Sequence, residues 1–132
     1  MCRIISTLMG CALLAAAGSA AAQVEVFTVA GAPVTHVPDG VDVIEIDKPA
    51  RLDKQLSEGL PRDKAAAAKA VQKRLSGFKQ AYGSAYDGLL RAWRLGVERV
   101  PAVVVDGQYV VYGQPDVKAA VAEIRNARDS EH

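Results

Sequence analysis

The chain has 132 residues, which is enough for one domain with a modest hydrophobic core. Sixteen basic residues are balanced by 15 acidic ones, so the formal net charge is +1. A nearly neutral chain has no net electrostatic attraction to nucleic acid or to anionic lipid, and direct binding to nucleic acid is not expected.

The N-terminal segment, residues 1–22, predicts a secretory signal peptide. One basic residue, Arg3, precedes an apolar run over residues 8–17, and a run of small residues ends at Ala22. The apolar run is shorter than the ~20 residues that span a bilayer, which disfavours a membrane anchor. We expect cleavage after about Ala22 and a periplasmic mature chain that begins at Gln23.

Both cysteines, Cys2 and Cys11, lie within this segment. Cleavage therefore leaves a mature chain without a thiolate nucleophile, a disulfide or a cysteine metal ligand, although an exported protein meets oxidising conditions. Residues 8–11 loosely resemble a lipoprotein signal, but the apolar stretch ahead of Cys11 is very short, which disfavours lipidation. The mature chain is predicted to be redox-inactive.

Two short strands are predicted at the start of the mature chain. Val24–Thr28 alternates apolar and polar residues and leads into the loop Ala32-Pro33-Val34-Thr35. Val41–Asp47 is rich in β-branched apolar residues and follows the turn signal Pro38-Asp39-Gly40.

Helices are predicted for the middle of the chain. Residues 50–60 form the first, with Gly59 as its stop. Residues 62–95 are alanine-rich, and their glycines leave open one bent helix or two. Gly96 fits the left-handed position that ends a helix. Apolar residues at spacings of three and four predict one apolar stripe, which contains Val71, Leu75, Phe78, Tyr82, Tyr86, Leu89 and Trp93.

The last third of the chain predicts a hairpin and a terminal helix. The strands Ala102–Val105 and Tyr109–Tyr112 flank Asp106-Gly107, a dipeptide that favours a two-residue turn with positive φ. Residues 114–128 then have helical periodicity, and Pro115 suits the first turn.

This order of elements predicts an α/β fold with a four-stranded mixed sheet: two strands, a helical segment, a two-stranded hairpin and a terminal helix. It resembles the thioredoxin superfamily, and glutaredoxins in particular, with the long helical segment as an insertion. The domain is expected to span residues 23–128, followed by a polar tail over residues 129–132.

Particular residues carry that resemblance. Ala32–Thr35 occupies the place of the glutaredoxin Cys-Pro-x-Cys, and Val100-Pro101 the place of a Val-Pro pair whose proline is cis in that family. Gly113 follows the hairpin as it does there. The resemblance implies a cis bond before Pro101. The helix that normally follows the active-site loop is lacking or reduced, since only Val34–Pro38 precedes the next turn.

A second resemblance is closer. The segments VEVFT (24–28), ARLDKQLSEGLP (50–61) and LLRAWRLGVERVPAVVVDGQYVVYGQPDVKAAV (89–121) are similar to a family of short exported proteins encoded in integrating conjugative elements of proteobacteria. Ala92–Val121 is the most specific part. This resemblance implies a thioredoxin-like protein without a redox cysteine pair, associated with conjugative DNA transfer. It implies no catalytic mechanism.

Residues with catalytic potential are few in the predicted mature chain. Thr35 needs an adjacent base to act as a nucleophile, and its neighbour His36 has no identifiable acid to orient it. We interpret His36 as a solvated loop residue. A metal site at His36 and Asp39 lacks the three or four ligands that such a site needs. No catalytic residue, metal or cofactor is expected.

Two segments are predicted to form a degenerate groove that binds a protein partner. They are Ala32, Pro33, Val34 and Thr35, and Val100 with Pro101. Exposed strand edges beside such a proline pair with extended peptide in thioredoxin-like folds. The aromatic residues Tyr82, Tyr86 and Trp93 are interpreted as core packing, and the basic residues of the long helical stretch as a solvated helix face.

Two classes of function remain open. The first is a non-enzymatic periplasmic accessory protein of an integrating conjugative element, which supports the conjugation or secretion apparatus through protein–protein contacts. The second is a divergent thiol–disulfide or chaperone-like protein of the thioredoxin superfamily. The lack of cysteine in the predicted mature chain favours the first. No integral membrane segment is expected after cleavage.

Overall fold

One mixed sheet and three helices make up the part of the chain that this computed structural model describes, residues 22–131. In chain order the elements are β1 (Val24–Thr28), β2 (Asp42–Glu45), α1 (Lys48–Ser57), α2 (Lys64–Arg94), β3 (Ala102–Val105), β4 (Tyr109–Tyr112) and α3 (Val117–Ser130). The predicted α/β fold with a four-stranded mixed sheet is confirmed. The predicted signal peptide lies outside the described residues, apart from Ala22. Within residues 22–131, none of the helices combines the length and apolar character that crossing a membrane requires.

Strands β1 and β3 occupy the middle of the sheet, whose order is β2-β1-β3-β4. β1 runs parallel to β2 and antiparallel to β3, and β3 pairs with β4 as an antiparallel hairpin. β3 is buried along its whole length, which explains its uninterrupted apolar sequence. β2 is shorter than the predicted strand Val41–Asp47 and begins at Asp42.

The connection from β1 to β2 contains no helix, although the two strands are parallel. Such a connection usually carries a helix. Here residues 29–41 cross over as an irregular loop, in agreement with the reduced connection that the sequence predicts. Val34 and Val41 pack from this loop against a buried cluster of the sheet. The loop therefore covers part of the area that a crossover helix would cover.

Each face of the sheet has its own buried cluster. One contains Val26, Val103, Val117 and Ala120 and lies beneath α3. The other contains Phe27, Ala92, Ala102 and Val104 and lies beneath α2. Neighbouring residues of one strand belong to different clusters because side chains of a strand point alternately to opposite faces. The sheet is thus the middle layer between α3 and α2.

Helix α2 is one continuous helix of 31 residues, so the chain forms one helix here and not two. The carboxylate of Asp63 caps its N-terminus by accepting a hydrogen bond from the N–H of Ala66 at 2.9 Å. At its C-terminus Gly96 has a φ of 71°, as predicted. The N–H of Val97 donates to the carbonyl of Ala92 at 3.0 Å. This pattern terminates a helix at a glycine in the left-handed conformation.

The buried face of α2 differs from the predicted stripe. Trp93 and Tyr86 are 77% and 47% exposed, so their assignment to the core is wrong. The face that meets the sheet contains Ala85, Gly88 and Ala92 and lies roughly a quarter of a turn away around the helix axis. A Cβ atom on Gly88 would lie 2.7 Å from Cγ2 of Ile44. Small residues, and not the large ones, bring this helix close to the sheet.

Helix α1 packs against the first part of α2. Nη1 of Arg74 donates to the carbonyl oxygens of Leu56 and Glu58 at 3.0 and 2.6 Å. The hydroxyl of Tyr82 donates to Oδ1 of Asp53 at 2.7 Å. These contacts hold the first part of α2 to α1, whereas its last turns pack on the sheet.

A buried carboxylate joins the middle of the sheet to α2. Glu25 of β1 is only 7% exposed. It accepts hydrogen bonds from Nε and Nη2 of Arg91 at 2.9 and 2.8 Å. The contact raises the pKa of Arg91, because the carboxylate binds and attracts the charged guanidinium. This bidentate pair fixes the position of α2 over the sheet.

The hairpin and the terminal helix differ from the prediction in their boundaries. Asp106-Gly107 has the predicted positive φ values, 54° and 64°, but Gln108 adds a third residue to the connection. Pro115 precedes the N-cap residue Asp116 and does not lie in the first turn. α3 continues to Ser130, into the segment predicted to be a polar tail.

Candidate functional site

Both segments of the predicted groove lie at the same end of the central strands β1 and β3. β1 ends at Thr28, and the antiparallel β3 begins at Ala102, which is paired with Phe27. The loop after β1 therefore leaves the sheet at the same end at which Val100-Pro101 leads into β3. The peptide bond between Val100 and Pro101 is cis, as the resemblance to glutaredoxins implies.

Local hydrogen bonds close the loop that follows β1. The hydroxyl of Thr28 donates to the carbonyl of Ala32 at 2.6 Å. The N–H of Ala32 donates to the carbonyl of Val29 at 3.0 Å. Pro33 is exposed, whereas Val34 is half-buried and packs against the cluster beneath α3. The loop is therefore anchored at both of its ends.

The backbone of Thr35 is bound to the start of α3. Its N–H donates to the carbonyl of Pro115 at 2.8 Å, and its carbonyl accepts from the N–H of Val117 at 3.0 Å. These two bonds form an isolated parallel bridge between Thr35 and Asp116. The predicted groove segment thus lies against the terminal helix, a neighbour that the sequence analysis did not assign to it.

His36 faces the same end of α3. Its φ is 51°, in the left-handed region that few non-glycine residues adopt. Its side chain is 68% exposed, as a solvated loop residue should be, but Nδ1 lies 3.1 Å from Oδ2 of Asp116. Asp116 is therefore the acidic neighbour that the sequence analysis did not find for His36.

Asp116 also caps α3. Its Oδ1 accepts a hydrogen bond from the N–H of Ala119 at 3.0 Å. This backbone N–H is the main cause that lowers the pKa of Asp116; partial burial opposes the shift, and the nearby His36 adds to it. One carboxylate thus starts the terminal helix and holds His36 beside it.

The contact between His36 and Asp116 does not by itself make a catalytic triad. A nucleophile has to lie within hydrogen-bond reach of the base, and in residues 22–131 no hydrogen bond joins the hydroxyl of Thr35 to His36. The same part of the chain contains no group of three or more His, Cys, Asp or Glu side chains that could hold a metal ion.

A groove of about 580 Å³ opens beside this loop, between residues 36–38 and α3. Its lining residues are His36, Val37, Pro38, Lys118, Val121, Ala122 and Arg125. Most of these side chains are apolar, but Lys118 and Arg125 are exposed cations. Neither makes an ion pair with another residue of the described chain. The groove therefore combines an apolar surface with uncompensated positive charge.

Val100 and Pro101 lie at this end of the central strands but are not hydrogen-bonded to the loop. The carbonyl of Pro101 accepts a hydrogen bond from the N–H of Gly113 at 2.9 Å, which ties it to the end of the hairpin. Both residues are half-buried. Across residues 22–131, no hydrogen bond connects them to Ala32–Thr35. The loop is held by α3 and the proline by the hairpin.

A family model matches the chain along most of its length. Residues 21–130 match the family described as "Protein of unknown function (DUF1525)". The chain belongs to this family. No curated protein and no solved structure matches the chain. The matched residues include the loop after β1, the groove and α3.

Asp116, Lys118 and Arg125 were not predicted as site residues. A signal was present for each of them. Aspartate directly before a helical run is a typical N-cap, and cations seven residues apart lie on one side of a helix. Their proximity to His36 depends on the long-range packing of the crossover loop, for which the sequence contains no local signal.

Proposed function

We propose that this protein is a non-enzymatic, periplasmic accessory protein of an integrating conjugative element, which supports the conjugation or secretion apparatus through protein–protein contacts. One observation carries the proposal. The loop that the resemblance to glutaredoxins equates with a redox motif has Ala32 and Thr35 in place of thiols, and an apolar groove with free cations opens directly beside it.

A thioredoxin-like fold is part of the proposal. The mixed sheet, the hairpin after β3 and the terminal helix on one face support it. The helix-free connection between β1 and β2 is the main departure from that fold. Because this connection carries no helix, the area beside α3 is left partly open, and the groove occupies it.

Export and the association with conjugation are supported by the sequence. Residues 1–22 have the features of a signal peptide, and both cysteines lie among them. The segment Ala92–Val121 is similar to exported proteins of integrating conjugative elements. In a mature chain that begins at Gln23, no residue can carry out thiol–disulfide exchange.

The chemistry of the groove defines the partner that it fits. Val37 is 36% exposed and offers an apolar contact. Lys118 and Arg125 attract carboxylates, and this charge is local because the chain as a whole is nearly neutral. We expect a protein segment with apolar side chains flanked by acidic residues.

Deletion of the gene tests the proposed role. We expect a lower frequency of conjugative transfer of the host element and unchanged growth. The intact gene should restore transfer, and a gene without codons 2–22 should not. Transfer at the wild-type frequency in the deletion strain would contradict a role in conjugation.

Charge reversal in the groove tests the proposed binding site. The double variant Lys118→Glu with Arg125→Glu should fail to restore transfer in the deletion strain, because it repels an acidic partner. The matched control is Lys69→Glu with Lys73→Glu, which reverses two exposed charges on α2 and should restore transfer fully. Circular dichroism of both purified variants establishes that they fold. A groove variant that restores transfer would place the partner elsewhere.

Mass spectrometry of the exported protein distinguishes the alternative function. We expect a chain that begins at Gln23 and contains no cysteine. A lipid on Cys11 would indicate a membrane-anchored chain in which this sulfur is a thioether and not a thiol, whereas retention of residues 1–22 would return the two thiols of Cys2 and Cys11 to the exported protein. A divergent thiol–disulfide or chaperone-like activity would then be the better proposal, and reduction of insulin disulfides would be its assay.

A further inference from the structure

The last turns of α2 expose a continuous apolar stripe. Tyr86, Leu90 and Trp93 are 47%, 46% and 77% exposed. Their spacing of four and three residues places them on one side of the helix. We call these three residues the Trp93 stripe. Apolar residues that are exposed as a contiguous patch typically mark an interaction surface.

The helix beneath the Trp93 stripe is held rigidly. Ala85 and Ala92 are buried on its sheet-facing side, and Arg91 is bound to the buried Glu25 through two hydrogen bonds. The stacked ring of Tyr82, with its centroid 6.2 Å from that of Tyr86, continues the apolar surface towards α1. A partner thus meets a preformed surface, which lowers the entropic cost of association.

Two opposite charges flank the Trp93 stripe. Asp87 and Arg94 are exposed, and neither forms an ion pair within residues 22–131. They are seven residues apart, so they lie on the same side of the stripe, about two helical turns from each other. A twofold rotation near Leu90 places Asp87 of one copy opposite Arg94 of the second copy, and the reverse. The charge pattern is self-complementary.

We propose that the Trp93 stripe is the interface of a homodimer in which two α2 helices pack antiparallel about a twofold axis near Leu90. In this arrangement Trp93 lies over the segment between Tyr86 and Leu90 of the second copy. Two ion pairs between Asp87 and Arg94 border the apolar contact. The same patch serves both copies, as in most twofold dimers.

The size of the surface sets the strength of the dimer. The exposed parts of the three side chains offer roughly 400 Å² per copy, about half of the ~800 Å² per partner in a standard interface. Dimerisation is therefore expected at micromolar to millimolar protein concentrations. A membrane surface fits less well, because Asp87 and Arg94 together give no net attraction to anionic headgroups.

Sedimentation velocity over that range of concentrations tests the proposal. We expect the monomer to convert to a dimer, and the fluorescence of Trp93, the only tryptophan of the chain, to shift to the blue as the dimer forms. Trp93→Ala should raise the dissociation constant by about 30-fold or more, as expected for a central aromatic contact. The control Leu75→Ala removes an exposed apolar residue of α2 outside the paired segment and should leave the constant unchanged.

Charge exchange tests the antiparallel geometry. Asp87→Arg alone should weaken the dimer, because it places like charges opposite each other, and so should Arg94→Asp. The double variant with both changes should restore the wild-type dissociation constant. A protein that stays monomeric throughout, a dimer that is insensitive to Trp93→Ala, or a charge exchange that does not restore pairing would overturn the proposal. A monomer whose fluorescence shifts only with phosphatidylglycerol vesicles would assign the stripe to a membrane surface instead.

Discussion

The two faces of the sheet are covered in opposite ways. On one face, small residues of α2 bring a long helix into close contact with the sheet, and Gly88 leaves no room for an added carbon atom beside Ile44. On the other face, α3 and an irregular loop cover the cluster around Val26, and an open groove remains between them. The first face is closed by the packing of a helix, while the second has open space that the proposed partner would occupy.

The difference follows from where the chain places its long helix. α2 is attached to β1 by the pair between Glu25 and Arg91. The sheet face beneath α2 is therefore also the more constrained of the two. The loop over the other face depends on backbone bonds to the start of α3. Substitutions on the two faces are therefore expected to have different effects.

The largest loss of stability is expected when a buried side chain beneath α2 is replaced by alanine. Phe27 is completely buried there, and its neighbour Val26 is completely buried on the other face. Phe27→Ala should lower the free energy of unfolding by about 3–5 kcal/mol, and Val26→Ala by about 2 kcal/mol, because it removes less buried area. Urea unfolding measures both. Val110→Ala, at a site that is 41% exposed, is the control and should change stability by about 0.5 kcal/mol or less. Equal losses for Phe27→Ala and Val26→Ala would contradict the expectation that the loss follows the buried side-chain area.

Substitution by alanine should have opposite effects on stability at two glycines of α2. Gly88→Ala places a Cβ atom 2.7 Å from Cγ2 of Ile44, whereas a Cβ on Gly83 meets no atom within 4 Å. Overpacking at Gly88 should cost about 1–3 kcal/mol. Gly83→Ala should instead stabilise the helix by about 1 kcal/mol through its helix propensity. Thermal and urea unfolding of both variants gives the comparison; a stabilising Gly88→Ala would show that the face is not closely packed.

A smaller effect is expected at the open face, and it depends on pH. The pKa of Asp116 is lowered in the folded chain, so its ionised form stabilises the fold above about pH 4, and this stabilisation is lost as the pH falls through the lowered pKa. Asp116→Asn keeps a capping side chain but removes the charge. Its melting temperature should therefore fall less steeply with acidification than that of the wild type. Identical slopes in melting experiments across acidic pH would contradict the assignment of the pKa shift.

The smallest effect is expected where α2 meets α1, away from both faces. The hydrogen bond to Asp53 is the main cause that raises the pKa of Tyr82 to about 12, with desolvation and the carboxylate charge adding to it. The contact stabilises the fold below the ordinary pKa of 10.0 and is lost as the pH rises through about 12. Tyr82→Phe should remove a tyrosinate absorbance step near pH 12 and lower the melting temperature at neutral pH only slightly, because the hydrogen bond to Asp53 is exposed to solvent. If the variant keeps the absorbance step near pH 12, this step belongs to another tyrosine.

Local signals predicted the elements of this fold well. Asp106-Gly107 predicted a hairpin because positive φ at both positions is rare outside such turns, and Gly96 predicted the end of α2 for a similar reason. The strands were found from alternation and β-branched residues, although β2 is shorter than expected. Each of these predictions depends only on neighbouring residues in the sequence.

Predictions that depend on tertiary packing were less successful. The apolar period of α2 favoured a stripe through Tyr86 and Trp93, but a helix that packs closely uses its smallest residues, and those carry little weight in such a pattern. The predicted groove stays a prediction as a binding site, although Ala32–Thr35 and Pro101 lie at the same end of the central strands. Its link to Asp116 was missed because it joins distant parts of the chain.

The bridge between Thr35 and Asp116 also governs when the site can form. Proteins are synthesised from the N-terminus, and contacts of high sequence separation have to wait until both partners are available. The loop after β1 is made early, but its anchor on Pro115 and Val117 comes close to the end of the chain. The proposed binding surface is therefore completed only when nearly the entire chain is available to fold. A partner that recognises this surface would distinguish a fully synthesised protein from an unfinished one.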